Sequence, residues 1–374
     1  MKKVFLLLLP LLLLACSPSQ PSRSEGEVLP LRYAELLRIE EADSFCRVVM
    51  GDPWRKGRTL ATYVLVPAGR ALPQSLPEGT LVRTPLRRTA LLSAVHAALW
   101  LDLGRGEAVA ALADTAYVVS PRVRQLCRGG AAALGSSLSP DLEVLRAQRC
   151  DAVFVSPFEQ AGHGTLDRLG IPLVECADYL ETSPLGRAEW VRFYGRLLGC
   201  ADRADSLFEA VARRYEAEKE RAAAAKSPRP TVFCDMLLQS VWYQPGGAST
   251  MGRILTDAGA DYLWADRPES GSLALNLEAV FARGREADLW LIKYGAPQTL
   301  TYEQLAADCP AYRRFRAFER EKVFACNTLE VPFYEEVPFH PDLLLRSLAA
   351  LFHPELAGPA APRFYVPLGH AARH

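Results

Sequence analysis

The stretches SPDLEVLRAQRCDAVFVSP, Ser139 to Pro157, and ALNLEAVFARGREADLWLIKYG, Ala274 to Gly295, carry one pattern twice. Each reads acid or amide, Leu, Glu, a short amphipathic stretch, then Asp and an apolar run. Asp141 and Asn276 are good helix N-caps. Leu142/Leu145 and Leu277/Val280 supply the apolar contacts three residues apart. Glu143 and Glu278 therefore fall in first helical turns, where one acid stabilises the helix dipole by ~0.3–1 kcal/mol. The repetition adds a second meaning: two half-molecules each present one acid at a helix start.

Other residue types point to binding rather than catalysis. Loops after strands are where open α/β sheets place ligands, and large planar ligands are held by aromatic faces with a few polar anchors. Such loops include Ser156 to Gly164, the segment around Tyr117, and Gln239 to Gly247. Trp242, Tyr243, Tyr294 and Tyr334 are the main aromatic candidates, with Trp54 a weaker one. Arg88, with Arg87, Arg253 and Arg267, is a candidate anchor for carboxylates. His163, in AGHG, is a candidate axial ligand to iron or cobalt. His96 has the spacing of a core residue, and His340 and His353 each precede Pro at helix boundaries. There is no HExxH, and GGAST misses the nucleophile elbow because the next Gly is Gly252. No CxxC pair supports a zinc ribbon.

The 374 residues suffice for two domains. Basic and acidic residues balance at 43 each, and no Lys/Arg run marks a phosphate-tracking surface, so nucleic acid is not an expected partner. Lys2 and Lys3 precede an apolar run, Val4 to Leu14, that ends Leu13-Leu14-Ala15-Cys16. This resembles a bacterial lipoprotein cleavage box. Residues 1–16 are then a signal peptide, Cys16 is the acylated first residue of the mature chain, and 17–32 form a flexible Ser/Pro-rich tether. The eight other cysteines have irregular spacing and read mainly as buried thiols, with one or two disulfides open.

Behind the tether, FCRVVM and ATYVLV flank a Gly/Pro turn and predict a hairpin. From Thr80 strands alternate with helices, one of them spanning RTALLSAVHAALWLDLG to Gly104. Arg187 to Lys226 lacks proline until SPRP and ends in strong helix formers. Gly199 divides it, and Ala201 to Ala225 predicts a helix ~37 Å long. The alternation restarts at TVFCDML and closes with the amphipathic PDLLLRSLAALFHPEL. The expected fold is two α/β lobes with parallel-rich sheets bridged by one rigid helix. The boundaries are 33–185 for the first lobe, 186–228 for the bridge, 229–356 for the second lobe and 357–374 for a tail.

With these residues in view, the chain resembles the substrate-binding lipoproteins of bacterial ABC importers for ferric siderophores, haem and cobalamin. The resemblance covers most of residues 80–356 and rests on the box at Cys16, DLEVLRAQRCDAVFVSP, LGIPLVE, SPLGRAEWVRFYGRLLG, PGGASTMGRILTDAGADYLW and HPDLLLRSLAALFHPEL. The last three look like the version seen in Bacteroides-type bacteria. Asp141 stands where the family often has Asn. The resemblance implies a cleft between lobes that takes an iron complex or corrinoid. It also implies a non-enzymatic monomer with no cofactor, and a periplasmic location on a membrane anchor. Glu143 and Glu278 match the two positions that bind Arg residues of a dimeric permease. The alternatives are a zinc- or manganese-binding importer protein and a chelatase-like periplasmic enzyme.

The leader makes one expectation directly measurable. Cys16→Ala is expected to abolish incorporation of labelled palmitate and to move the protein from the detergent phase to the aqueous phase on Triton X-114 partition.

Overall fold

The computed structural model describes residues 26–159, 162–358 and 363–371; Cys16 and most of the tether lie outside them. Five strands form the entry sheet, in chain order: β1 Glu27–Val28, β2 Leu37–Glu41, β3 Cys46–Gly51, β4 Thr59–Pro67 and β5 Thr80–Thr84. The predicted hairpin is β3/β4, paired antiparallel, and β5 joins β4 in parallel.

The tether boundary at residue 32 is corrected. β1 pairs with β2, and two acids from distant sequence hold the backbone after it. Glu189 is fully buried and accepts from the N–H groups of Arg32, Tyr33 and Ala34, at 2.8 to 3.1 Å. Glu181 accepts from the N–H groups of Glu35 and Leu36 at 3.0 Å and from Trp190 Nε1 at 2.8 Å. This stretch has no apolar period, so nothing local orders it; the two carboxylates satisfy donors that would otherwise be buried alone.

The first lobe is built on β6 Thr89–Leu91, β7 Val109–Leu112, β8 Ala132–Ala133, β11 Ala152–Val155 and β12 Leu173–Glu175, all parallel in the order β12-β11-β6-β7-β8. A small hairpin, β9 Gly135–Ser136 with β10 Ser139–Pro140, lies between β8 and β11. The helices are α1 Ala94–Asp102, α2 Pro121–Arg128 and α3 Leu142–Ala147. The single long helix read over RTALLSAVHAALWLDLG is corrected. Its start, Thr89–Leu91, is a buried central strand, and Ser93 caps α1. A short apolar run reads the same in a buried strand and a buried helix, and only its sheet neighbours decide.

The bridge consists of α4 Pro184–Glu189, α5 Val191–Leu197 and α6 Ala201–Ala223. Gly199, at φ +65°, turns the chain between α5 and α6. The 23 residues of α6 span ~35 Å. Phe208, Val211 and Tyr215 form its buried face.

The second lobe has a sheet in the order β16-β13-β18-β19-β20: β13 Thr231–Cys234, β16 Asp261–Tyr262, β18 Leu289–Tyr294, β19 Val323–Asn327 and β20 Val366–Pro367. A small antiparallel sheet, β14 Leu237–Leu238, β15 Val241–Pro245 and β17 Ser272–Leu275, stands beside it. Its helices are α7 Thr250–Asp257, α8 Leu277–Gly284, α9 Tyr302–Asp308, α10 Arg316–Glu319, α11 Phe333–Glu336 and α12 Pro341–Phe352. Tyr215 of α6 donates to Asp257 at 2.7 Å, and Arg214 pairs with Asp342 of α12 at 2.5 Å, fixing the bridge to this lobe. The tail at 357–374 is also corrected. Its β20 closes the sheet edge, and Phe364 and Tyr365 are buried. The eight cysteines among the described residues are free thiols.

The lobes also touch directly. Glu335 of α11, buried, accepts from the N–H groups of Val119 and Ser120 at the start of α2, at 2.7 and 3.1 Å. His340, preceding α12, bonds Asp102 at the end of α1 at 2.9 Å. Burial alone would raise the Asp102 carboxyl, but the bonds from His340 and Arg122 outweigh it and hold it below its usual range.

Glu189→Ala leaves three backbone donors buried without an acceptor. It is expected to destabilise the protein by about 3 kcal/mol, measured as a lower midpoint in urea unfolding. Glu189→Gln, which keeps one acceptor, should lose less.

Candidate ligand-binding cleft

In parallel sheets, ligands bind beyond the carboxyl ends of strands where the strand order reverses. In the first lobe the chain runs from β6 outward through β7 to β8 and then returns to β11, so the reversal lies between β6 and β11. In the second lobe it lies between β13 and β18. The bond from Glu335, which follows β19, to Val119 and Ser120, which follow β7, brings the carboxyl edges of both sheets together. Phe339 packs against His96 of α1, with ring centres 6.1 Å apart, at the same junction. The loops after β7 and β19 therefore meet at the junction of the lobes.

On the second-lobe side, Asp235 and Met236 end β13 while Lys293 and Tyr294 end β18. They line a cavity of about 670 Å³ with Leu238 and Tyr243. Asp235 is in the left-handed region at φ +57°, which Asp tolerates when its side chain bonds the backbone locally. Its Oδ1 accepts from the Lys293 N–H at 3.2 Å. Burial pushes its carboxyl up against the pull of the nearby Lys293. The Lys293 ammonium lies 5.3 Å from the Phe333 ring centre and 5.7 Å from that of Tyr334. Tyr294 accepts from the Leu300 N–H through its hydroxyl at 3.1 Å. Tyr243 and Tyr334 are exposed.

On the first-lobe side, Asp114 follows β7 with φ +52° and accepts from the Ser137 N–H at 3.2 Å. Tyr117, Phe158 and Tyr179 are exposed aromatics on the loops after β7, β11 and β12. Tyr179 was not singled out by the sequence. Its signal is its place just after the IPLVEC strand, and its hydroxyl donates to the Pro157 carbonyl at 2.5 Å. Lys293 was likewise missed, because a strand-end lysine looks like any solvated one.

Several sequence candidates are placed elsewhere. Trp242 is corrected: it is fully buried and does not face the cleft. The expected loop is the strand β15, whose alternation turns Trp242 inward and Tyr243 outward. The Trp242 indole donates to the Cys234 carbonyl at 2.8 Å and packs on Phe233, Trp290, Tyr312 and Phe315. Arg88 is also corrected. It precedes β6 at the amino edge of the sheet and donates to Gln148, at 2.7 and 3.0 Å. Trp54 sits in the loop between β3 and β4 and does not line the cavity at the second lobe's reversal point. His163 is mostly buried and bonds Glu175 at 2.7 Å beside a cavity of about 440 Å³ between β12 and the entry sheet. The other Glu175 oxygen is buried and has no hydrogen-bond partner among the described residues.

The Glu175 bond raises the His163 pKa above 6.5, outweighing burial. Because the folded value is raised, the pair's stabilisation is complete below the unfolded value and is lost as pH rises through the folded one. An NMR titration of His163 is expected to show a midpoint above 6.5, and Glu175→Gln is expected to bring it down.

Glu143 and Glu278 are both exposed, in the first turns of α3 and α8, behind side-chain caps from Asp141 and Asn276. Each helix precedes and runs against a parallel strand, β11 and β18 respectively, so both acids lie at the carboxyl edge of their sheet. Among the described residues the one cation that approaches Glu143 is Arg146, at 3.8 Å.

Comparison with known proteins agrees with this architecture. An uncharacterised lipoprotein of Methanocaldococcus jannaschii is 27% identical over 235 residues, covering 62% of this chain and 55% of its own. The chain thus spans about half the length of that relative. A second lipoprotein of the same organism is 22% identical over 355 residues, covering 91% of this chain and 88% of its own. Among solved structures, a periplasmic haem-binding protein from Pseudomonas aeruginosa is similar with a TM-score of 0.58, at 18% identity over 77% of this chain and 99% of that one. A component of an Fe3+-hydroxamate transport system from Saccharomonospora viridis has a TM-score of 0.56, at 20% identity over 72% and 93%. A molybdate-binding periplasmic protein from Haemophilus influenzae has a TM-score of 0.57, at 14% identity over 74% and 88%. These likenesses establish the fold. The sequence model of the family described as periplasmic binding protein matches residues 90–328, and the chain belongs to that family.

Proposed function

We propose that this protein is the lipid-anchored substrate-binding component of an ABC importer, and that it captures an iron complex (ferric siderophore or haem) or cobalamin between its lobes. The observation that carries the reading is the cavity at the second lobe's reversal point, lined by Tyr243 and Tyr294, in a chain whose two lobes meet through Glu335 at the loops beside it. Aromatic faces with few polar groups suit a large, flat or macrocyclic ligand. Glu143 and Glu278 serve as the docking acids for the permease, because each stands exposed at the cleft edge of its own lobe. Anchored through Cys16, the protein faces the periplasm, acts as a monomer and does no chemistry on its ligand.

A zinc or manganese cargo is less well supported. A bare ion needs several converging His and acid ligands. His96 and Asp178 are buried together, but Asp178 already takes bonds from His96, Tyr194 and Arg187 at 2.8 to 3.1 Å. His340 is bonded to Asp102 and His353 to Ser227. A chelatase-like enzyme would change the absorption spectrum of a bound tetrapyrrole as metal enters or leaves.

The test is tryptophan fluorescence titration of the protein with haemin, cobalamin and several ferric siderophores. Saturable sub-micromolar quenching by one class is expected, and silence towards all of them, with the protein folded, overturns the reading. In cells, the pair Glu143→Lys and Glu278→Lys is expected to cut ligand uptake by at least about tenfold while ligand affinity stays unchanged. Normal uptake by that pair rules out the docking role.

A further inference from the structure

We propose that the crevice between β13 and β18 is a subsite for one anionic oxygen, carboxylate or phenolate, carried on a flat or aryl group, with Lys293 as its counter-ion. This deepens the importer reading and rests on it for the identity of the complete ligand.

Lys293 enters no ion pair among the described residues. The acids lining its cavity are Asp235 and Asp308. Asp235 already directs Oδ1 at the Lys293 backbone N–H, and Asp308 is bonded by Gln304 at 2.8 Å. The ammonium instead rests above the rings of Phe333 and Tyr334. Ring faces attract a cation but do not neutralise it. Asp235 acts on this partly buried ammonium only from beyond ion-pair distance, and an incoming oxygen would complete a charge-assisted hydrogen bond.

The surroundings define what carries that oxygen. The cavity, about 670 Å³, is far larger than a small oxyanion needs and falls within the size range of organic-ligand sites. Its walls are Leu237, Leu238, Tyr243 and Tyr294, and Leu238 and Tyr243 are exposed despite their apolar area. Among the described residues Lys293 is the only cation lining this cavity, which fits a ligand that presents one anionic group there.

The subsite is also held in register with the other lobe. Phe333 and Tyr334 lie on α11 beside Glu335, whose carboxylate bonds the start of α2. Glu335 is therefore a positioning residue for the ring floor beneath Lys293.

The test uses the full chain in mild detergent, with two kinds of probe read by tryptophan fluorescence. Buried Trp290 donates to the Asp235 carbonyl and so reports on the crevice directly. The first kind is a set of whole chelates: haemin and a ferric tris-catecholate as anions, neutral ferric tris-hydroxamates as comparators, and cobalamin, whose phosphodiester oxygen sets it apart from both. The second is the fragment 2,3-dihydroxybenzoate at millimolar concentration. Lys293→Met, which keeps the apolar stem, is expected to weaken the fragment and the anionic chelate by about ten- to a hundredfold. Lys293→Arg is expected to restore most of the loss, and the comparators should not respond to either change. Fragment binding that needs Lys293, with no chelate bound, supports the subsite and overturns the iron-complex or cobalamin cargo. Tight chelate binding indifferent to Lys293→Met overturns the subsite and leaves the importer reading standing. No binding of any probe overturns both.

Discussion

One carboxylate decides what this molecule can do with its two halves. Glu335 leaves the second lobe, enters the first and accepts from two backbone N–H groups at the start of α2. Val119 and Ser120 lead into α2, and their N–H groups satisfy a carboxyl group that would otherwise be buried without partners. The same contact brings the loops after β7 and β19 together at the junction of the lobes. Phe333 and Tyr334, its neighbours on α11, form the ring floor beneath Lys293.

Buried acids play the same part elsewhere. Glu189 and Glu181 hold the backbone from Arg32 to Leu36, and Asp178 gathers His96, Tyr194 and Arg187 beneath α1 and α4. A buried carboxylate is costly unless its oxygens are fully bonded. These are bonded mainly by backbone donors and neutral hydroxyl or indole groups, which fixes direction more strictly than a flexible ion pair does. The first two tie the entry segment to the bridge and the third ties the bridge to the first lobe. With α6 fixed to α7 and α12 through Tyr215 and Arg214, the geometry favours a cleft of nearly constant width over a wide hinge. A ligand then meets a surface already formed, which lowers the ordering cost of binding.

The aromatic residues divide cleanly between support and contact. Phe233, Trp242, Trp290, Tyr312 and Phe315 stack into one buried cluster behind β13, β15 and β18. Its indoles donate to the carbonyls of Cys234 and Asp235, so the core is bonded to the strand end that faces the cleft. The left-handed backbone of Asp235, sparsely populated for such a residue, persists because that cluster holds it.

The sequence by itself determined the alternation of strands and helices, the long bridging helix and the repeated capped helices carrying Glu143 and Glu278. Periodicity and capping are local, and local rules read them. Tertiary structure alone decided that Trp242 is core and Tyr243 is surface, since that follows from β15 pairing with β17. It decided that residues 27–36 and 363–368 belong to the folded body, because their partners lie far away in the chain. It likewise turned Arg88 to the amino edge and gave Lys293 its place. A residue's chemistry is written in its type, but whether it meets a ligand depends on which strand edge it ends and what packs behind it. Those are non-local facts, set by strand order and by buried acids such as Glu335 that bind backbone hundreds of residues away.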